Sequence, residues 1–228
     1  MRPYTIYVVV GLQRDGRKRV LLCQPAAGRE NLEEWKKILR GLVERGLRRV
    51  MILVQDDFSG LQPVCEGLFP RTDVQLCVVH MQRNAKSHLG KQHAAEFQRR
   101  MKTIKSCYDA ELAASQFEEL CSHFDDVLPT FIAALRKKQK HYLAFLDYPE
   151  DIRTTLSTTD VVEAVNGQLE RLRINNGGYF HSGRILEMKL GMTITYLEEG
   201  RWKRRMANIS SALPRLNAMF ERRFEEPI

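Results

Sequence analysis

The stretch "RRVMILVQDD", residues 48–57, decides the fold class of this chain. Its middle is a nearly continuous run of apolar, partly β-branched residues, which is typical of a strand covered on both faces of a parallel sheet. Two acids, Asp56 and Asp57, follow directly. Because ligands in open α/β sheets lie beyond the carboxyl ends of the strands, these acids are candidates to hold a metal ion. The alternative is that one of them only caps the next helix.

Strands and helices alternate around this stretch only in the first third of the chain. The pattern predicts strands at 4–12, 18–24, 49–55 and 72–80, and helices at 30–45 and 58–69. Asp15-Gly16 predicts a hairpin between the first two strands. From about 81 to 146 the pattern is helical, 151–159 is predicted to be a connection, and helices return at 160–173, 184–199 and most of 200–224. This order indicates an α/β sheet interrupted by an all-helical insertion.

Composition favours a polyanionic partner. The 228 residues carry a formal net charge of +8, and an excess of that size makes nucleic acid the first expectation, with an ordinary basic protein as the alternative. Five cysteines at irregular spacing do not form a disulfide framework, so we expect a reducing, cytoplasmic compartment. No apolar run reaches the length of a membrane span, and the N-terminus has no signal-peptide cleavage site.

A third acid, Glu163, lies in "LSTTDVVEAVNGQLERLR", residues 156–173. Helical spacing puts Glu163 and Asn166 on a face different from the apolar stripe, so both can face a site. Mg²⁺ prefers carboxylate ligands on rigid elements, and a pair of such ions promotes phosphoryl transfer. The alternative is structural, because Asp160-x-x-Glu163 resembles a capping box at a helix start.

Two further patterns are weaker when taken singly. Cys77-x-x-His80 supplies two ligands where zinc wants four, so a packed cysteine and a hydrogen-bonded histidine are favoured. Basic runs, with aromatic residues near several of them, predict contacts to DNA phosphates and unpaired bases, although each run by itself also fits a solvated helix face. The predicted DNA-binding residues are Arg83, Lys86, Arg171, Arg173, Lys203 and Arg204.

Together these segments resemble the mutator-type transposases of bacterial insertion sequences. The resemblance is carried by "NLEEWKKILRGLVERGLRRVMILVQDDFSGL", by "FPRTDVQLCVVHMQRNAKSHL", and by "STTDVVEAVNGQLERLR", which is similar to that family's Thr-Thr-Asn-x-x-Glu-x-x-Asn segment. It spans about residues 6–202. It implies a ribonuclease H-like fold and a Mg²⁺-dependent DDE active site that cuts and joins DNA strands, acting as a dimer or larger assembly on the element's terminal inverted repeats and target DNA.

The resemblance also implies roles for individual residues. Asp56 matches the second catalytic acid and Glu163 the third, so both are expected to bind the metal. Cys77 and His80 match the family's Cys-x-x-His signature, and Asn166 matches the Asn after the Glu. The implied organisation is a first part of the catalytic core at 1–93, a helical insertion at 94–152, and the rest of the core with C-terminal helices at 153–228.

This chain departs from the family pattern at three points. Asp57 stands where Gly is usual, and Asp160 where Asn is usual. The first catalytic Asp is expected on a strand before "YTIYVVVGL", which is where this chain begins. We therefore expect a mixed sheet lacking its first strand, with a vacant slot between the hairpin and strand 49–55, in a truncated chain that is inactive alone.

Two alternatives remain open at this stage. One is a non-enzymatic DNA-binding regulator derived from a transposase. The other is a different two-metal nuclease that uses Asp57 as a further acid.

Overall fold

The computed structural model describes residues 4–224, which contain four strands and eleven α-helices. The strands are β1 (Tyr4–Leu12), β2 (Lys18–Ala27), β3 (Ile52–Gln55) and β4 (Asp73–Leu76). The helices are α1 (Leu32–Glu44), α2 (Leu61–Leu68), α3 (Val78–His88), α4 (Lys91–Lys105), α5 (Ala110–Phe124), α6 (Pro129–Lys137), α7 (Gln139–Leu143), α8 (Glu150–Leu156), α9 (Asp160–Asn175), α10 (Gly183–Glu199) and α11 (Ala207–Phe224). Two 3₁₀ turns, Ala144–Asp147 and Arg201–Lys203, complete the described elements. None of the helices in this described part is long and apolar enough to cross a membrane.

The chain divides into two compact units, one formed by Met1–Arg48 with Asp160–Ile228 and the other by Arg49–Thr159. The first unit is built on the predicted hairpin, in which β1 and β2 pair antiparallel. Gly16 takes the left-handed φ of +83° that the tight turn requires, and its N–H donates to the carbonyl of Gln13. This arrangement confirms the hairpin predicted from Asp15-Gly16.

Helices pack on this hairpin to form the core of the first unit. The buried cluster joins one face of β1 to α9, α10 and the 3₁₀ turn after α10, and its members are Val8, Val165, Leu169, Leu186, Leu190, Leu197 and Trp202. Helix α1 lies inside the range predicted for it, 30–45, and hydrogen bonds fix both of its ends. The Asn31 side chain accepts a hydrogen bond from the N–H of Glu34 at its start, and Gly46, with φ of +101°, follows its end.

The second unit contains the stretch from which the fold class was inferred. β3 and β4 pair in parallel, from Ile52 opposite Asp73 to Gln55 opposite Leu76, with α2 as the crossover. Helices α3–α8 and the 3₁₀ turn before α8 bury a core of aliphatic and aromatic side chains, whose fully buried aromatic members include Phe97, Phe117, Phe124 and Phe145. The carboxyl ends of the two parallel strands lie at one edge, which positions the residues that follow them.

Three local predictions were wrong or only partly met. The strand predicted at 49–55 begins at Ile52, and its apolar residues are half-buried instead of covered on both faces. The strand predicted at 72–80 ends at Leu76, because the Cys77 side chain caps a helix and accepts from the N–H of His80; Cys77-x-x-His80 therefore begins α3 instead of ending a strand. The connection predicted at 151–159 is largely α8, which begins directly after Pro149 and has two acids, Glu150 and Asp151, in its first turn.

The α/β class is observed, and the described strands form two separate two-stranded sheets, one antiparallel and one parallel. β1 pairs with β2, and the direct pairing of strand 4–12 with strand 49–55 that would have closed the expected slot does not occur among these strands.

Candidate functional site

Asp56 lies immediately after β3, at the carboxyl edge of the parallel strand pair. The last strand residue, Gln55, accepts the N–H of Cys77 through its carbonyl, and the carbonyl of Asp56 accepts the N–H of Phe58 at 2.7 Å. These backbone bonds fix the position of Asp56, while its side chain stays 51% exposed. A carboxylate held in this way is available to a ligand arriving from solvent.

The neighbouring strand brings the Cys-x-x-His segment to the same place. Because β4 runs parallel to β3, Cys77 and the first turn of α3 emerge beside Asp56. His80 Nδ1 lies 2.7 Å from Asp56 Oδ1 and 3.3 Å from Cys77 Sγ. The favoured sequence interpretation, a packed cysteine and a hydrogen-bonded histidine, matches this geometry, since Cys77 is buried and His80 contacts the carboxylate.

A third segment, distant in sequence, completes the group. The carbonyl of Ser157 accepts the N–H of Val78, which positions the residues after α8 next to the start of α3. The hydroxyl of Thr159 then lies 3.2 Å from Asp56 Oδ1 and 3.5 Å from Cys77 Sγ. We call Asp56, Cys77, His80 and Thr159 the Asp56 cluster. The sequence analysis missed Thr159, although the Thr-Thr pair of the family segment was the signal that marks it.

Asp57 has different partners. One carboxylate oxygen pairs with Lys138 Nζ and the other accepts from the hydroxyl of Tyr142 at 3.1 Å. Burial, with the nearby Asp57 charge, raises the pKa of Tyr142, so the phenol keeps the proton that it donates. Asp57 thus links the end of β3 to α7 and to the residue between α6 and α7, within the same unit.

Glu163 and Asn166 lie on α9, in the other unit. Glu163 is half-buried and Asn166 is exposed. The helix begins at Asp160 itself, so Asp160 and Glu163 are its first and fourth residues, one position later than a capping box requires. Asp56 and Glu163 therefore belong to different units, each built on its own elements.

The six predicted DNA-binding residues lie on different elements of the chain. Arg171 and Arg204 line one groove with a cavity volume of about 810 Å³, together with Arg201, Gln168, Thr193, Tyr196, Leu197, Glu199 and Gly200. We call it the basic groove. Arg173 pairs with Glu170 on α9 instead, and Lys203 is exposed in the adjacent 3₁₀ turn. On α3, Arg83 Nη1 lies 3.5 Å from His80 Nε2, and Lys86 is exposed in the last turn.

The sequence analysis missed two members of the basic groove. Arg201 belongs to the basic run "RWKRR" but was not singled out, and Tyr196 carried no signal beyond being aromatic. Tyr196 is 81% exposed. Within residues 4–224, the guanidinium groups of Arg171, Arg201 and Arg204 form no ion pair, so all three charges are available to an anion.

Comparison with known proteins shows which family this chain resembles. The family model described as "Transposase, Mutator family" matches residues 1–204. The transposase for insertion sequence element ISRM3 of Rhizobium meliloti is 26% identical over 227 residues, which cover 98% of this chain and 56% of that protein. The transposase for IS1201 of Lactobacillus helveticus is 25% identical, over 82% of this chain and 50% of that protein. The chain spans about half the length of the curated relatives it matches.

Proposed function

Because the chain belongs to the mutator family of transposases, we propose that it supplies catalytic-domain residues of an insertion-sequence transposase, which cleaves DNA strands and transfers their ends. The supporting observation is the Asp56 cluster. Three segments converge on one carboxylate, and Thr159 reaches it from 103 residues away in sequence. His80 comes from the family's Cys-x-x-His signature, and Thr159 from its Thr-Thr segment.

The proposed architecture is a ribonuclease H-like core. In that arrangement the hairpin β1–β2 and the pair β3–β4 belong to one mixed sheet, joined by a further strand that carries the first catalytic Asp. The greater length of the relatives accommodates such a strand. The core then comprises 1–93 and 153–228, and the all-helical insertion comprises 94–152.

Asp56 and Glu163 are the proposed ligands of Mg²⁺, with Asn166 and Asp57 in supporting positions. The half-exposed Asp56 carboxylate at a strand end fits this hard cation, which prefers oxygen ligands from rigid elements. When bound, Mg²⁺ would activate the attacking oxygen and stabilise the leaving oxygen of a phosphodiester. Thr159 donates a hydrogen bond to Asp56 Oδ1 and thereby orients the carboxylate. Since this set is one acid short of a DDE triad, we expect the 228 residues alone to bind DNA without cutting it.

The basic groove supports DNA as the partner. Three guanidinium groups around one cavity suit phosphates, and an exposed tyrosine beside them suits stacking on an unpaired base. Among the described lining residues Glu199 is the acid, and it limits the positive charge. By family resemblance, the DNA consists of the element's inverted repeats and its target, bound by a dimer or larger assembly.

The second candidate function is a DNA-binding regulator derived from a transposase. The same basic groove favours it, because binding needs only the arginines whereas cleavage needs the complete acid set. The two functions predict the same affinity for DNA and differ in Mg²⁺-dependent cleavage.

The deciding experiment compares the chain with and without an added upstream segment that carries the missing Asp. Mg²⁺-dependent cleavage of element-end DNA is measured for both, with Glu163→Ala as the inactive variant. Glu170→Gln is the matched control, since Glu170 is an exposed acid on the same helix. We expect cleavage by the extended chain and its Glu170→Gln variant only. Cleavage that survives Glu163→Ala would exclude the DDE assignment, and binding without cleavage in every form would favour the regulator.

A further inference from the structure

We propose that Asp56, Cys77 and His80 form a second kind of metal site, which takes a divalent transition ion of the Zn²⁺ or Co²⁺ type. One ligand atom from each residue lies within 4.8 Å of the other two. The proposed binding rests on this geometry alone. Its consequence for DNA cleavage, given below, rests on the proposed function.

The donor set selects the class of metal. Mg²⁺ takes oxygen ligands, whereas a thiolate and an imidazole favour Zn²⁺ and similar ions. Three protein ligands with a fourth position left to water is the arrangement of open zinc sites. Cys77 and His80 by themselves supply two ligands, and folding supplies the third by bringing Asp56 beside them.

Two of the three ligand–ligand distances are close to those of a tetrahedral ion, and the third, between Asp56 and Cys77, is within 4.8 Å. From usual zinc–ligand bond lengths, the nitrogen–sulfur edge of such a site is about 3.6 Å and the nitrogen–oxygen edge about 3.4 Å. His80 Nδ1 lies 3.3 Å from Cys77 Sγ and 2.7 Å from Asp56 Oδ1. The carboxylate must therefore move about 0.7 Å from the imidazole. Its exposure to solvent leaves room for that shift.

The site is open to solvent on one side, and its ligands have hydrogen-bond partners of their own, as expected for an exchangeable ion. Cys77 is buried and closes the inner side, while the half-exposed side chains of His80 and Asp56 open the outer side to solvent. Thr159 stays within hydrogen-bond distance of Asp56 Oδ1 and can hold the ligating carboxylate. On binding, the Cys77 thiol releases its proton to solvent, and His80 presents the lone pair of Nδ1 while Nε2 carries the proton. Arg83 Nη1 lies 3.5 Å from Nε2 and opposes a proton on that nitrogen, so the Arg83 side chain would have to shift.

The consequence is competition for one carboxylate. A Zn²⁺ ion held by Cys77 and His80 would take Asp56 from the Mg²⁺ site of the proposed transposase. Micromolar Zn²⁺ is then expected to inhibit Mg²⁺-dependent cleavage by the complete enzyme, and a chelator to restore it.

The test is a Co²⁺ titration of the 228-residue chain, without DNA, followed by absorption. Binding through Cys77 is expected to produce a near-ultraviolet thiolate-to-cobalt charge-transfer band that Zn²⁺ removes. Cys77→Ser should abolish the band, and Asp56→Asn should weaken Co²⁺ binding about 10-fold or more. Cys23→Ser is the matched control, because Cys23 is a half-buried free thiol on β2, and it should leave the band unchanged.

Each outcome bears on the site. No band, or a band that persists in Cys77→Ser, overturns the proposal. If Cys77→Ser fails to fold by circular dichroism, the half-exposed Asp56→Asn decides, and unchanged Co²⁺ affinity in that variant overturns it. Absence of Co²⁺ binding would leave the cleavage experiment untouched, and failure of cleavage would leave the Co²⁺ spectrum untouched, so the two proposals fail separately.

Discussion

Gln75, in the middle of the second sheet, offers a sharp test of how the helical block is attached to it. This side chain is 0% exposed. Its amide Nε2 donates to the carbonyls of Leu76 and Tyr142, at 2.7 and 3.1 Å, and its Oε1 accepts the N–H of Phe145 at 2.7 Å. One buried amide therefore links β4 to α7 and the turn that follows it.

Gln75→Met keeps the length of the side chain and removes all three hydrogen bonds. A buried backbone group that loses its partner costs roughly 1–3 kcal/mol. Three backbone groups lose the Gln75 partner here, those of Leu76, Tyr142 and Phe145. We expect the 49–159 unit to lose about 3 kcal/mol of its free energy of unfolding.

Gln55→Met is the matched control on the neighbouring strand. Gln55 is also buried, but its Nε2 has no hydrogen-bond partner among the described residues, and its Oε1 accepts only a long bond from the Cys65 thiol. Replacing an amide that is already unsatisfied should change the stability by less than about 1 kcal/mol, or raise it.

Both tryptophans lie in the first unit, so tryptophan fluorescence would not report unfolding of the 49–159 unit. Hydrogen exchange measured by mass spectrometry reports on that unit directly. Peptides from 73–88 and 139–147 should exchange on the order of 100-fold faster in Gln75→Met and at the wild-type rate in Gln55→Met. Equal effects of the two substitutions, or protection in Gln75→Met at the wild-type level, would refute the reasoning.

Other buried or hydrogen-bonded side chains lead to three further predictions. The Glu198 carboxylate accepts hydrogen bonds from the Arg19 guanidinium and from the backbone N–H of Val20. Glu198→Ala should therefore lower the free energy of unfolding of the first unit by about 1–2 kcal/mol, and Glu198→Gln by less. Urea unfolding followed by tryptophan fluorescence measures both. The Arg153 guanidinium donates to three backbone carbonyls. Arg153→Met should therefore lower the free energy of unfolding of the second unit by about 3 kcal/mol, measured by hydrogen exchange, and Arg153→Lys should recover a minor part of it. Burial raises the pKa of the Cys65 and Cys121 thiols from 9.0 to about 12, so the folded state keeps these protons longer than the unfolded state does. The two protonated thiols contribute fully to the free energy of unfolding below pH 9, and this contribution falls as the pH rises towards 12, by about 1.4 kcal/mol per thiol at pH 10. A variant with alanine at both positions should lack this decrease in stability between pH 8 and 10.

Local signals were sufficient where neighbouring residues make the deciding contacts. Asp15-Gly16 predicts the first hairpin because the turn needs a left-handed residue, and the helical spacing of apolar residues in 30–45 predicts α1. The apolar run at 48–57 predicts a strand followed by acids; the observed strand is shorter, and its apolar residues are half-buried. The order of the family segments was enough to identify the family.

The rest depended on contacts that no local pattern contains. Val78 and Val79 favour a strand, yet this segment is helical because the Cys77 side chain caps it and the N–H of Val78 bonds to Ser157, far along the chain. The same long-range closure brings Thr159 to Asp56, and an analogous one pairs Asp57 with Lys138. Sequence by itself determined the family, the strand that carries Asp56 and the basic character of the chain. Only the tertiary structure decided which side chains surround Asp56, because those partners are adjacent only after the helical block folds back onto the sheet.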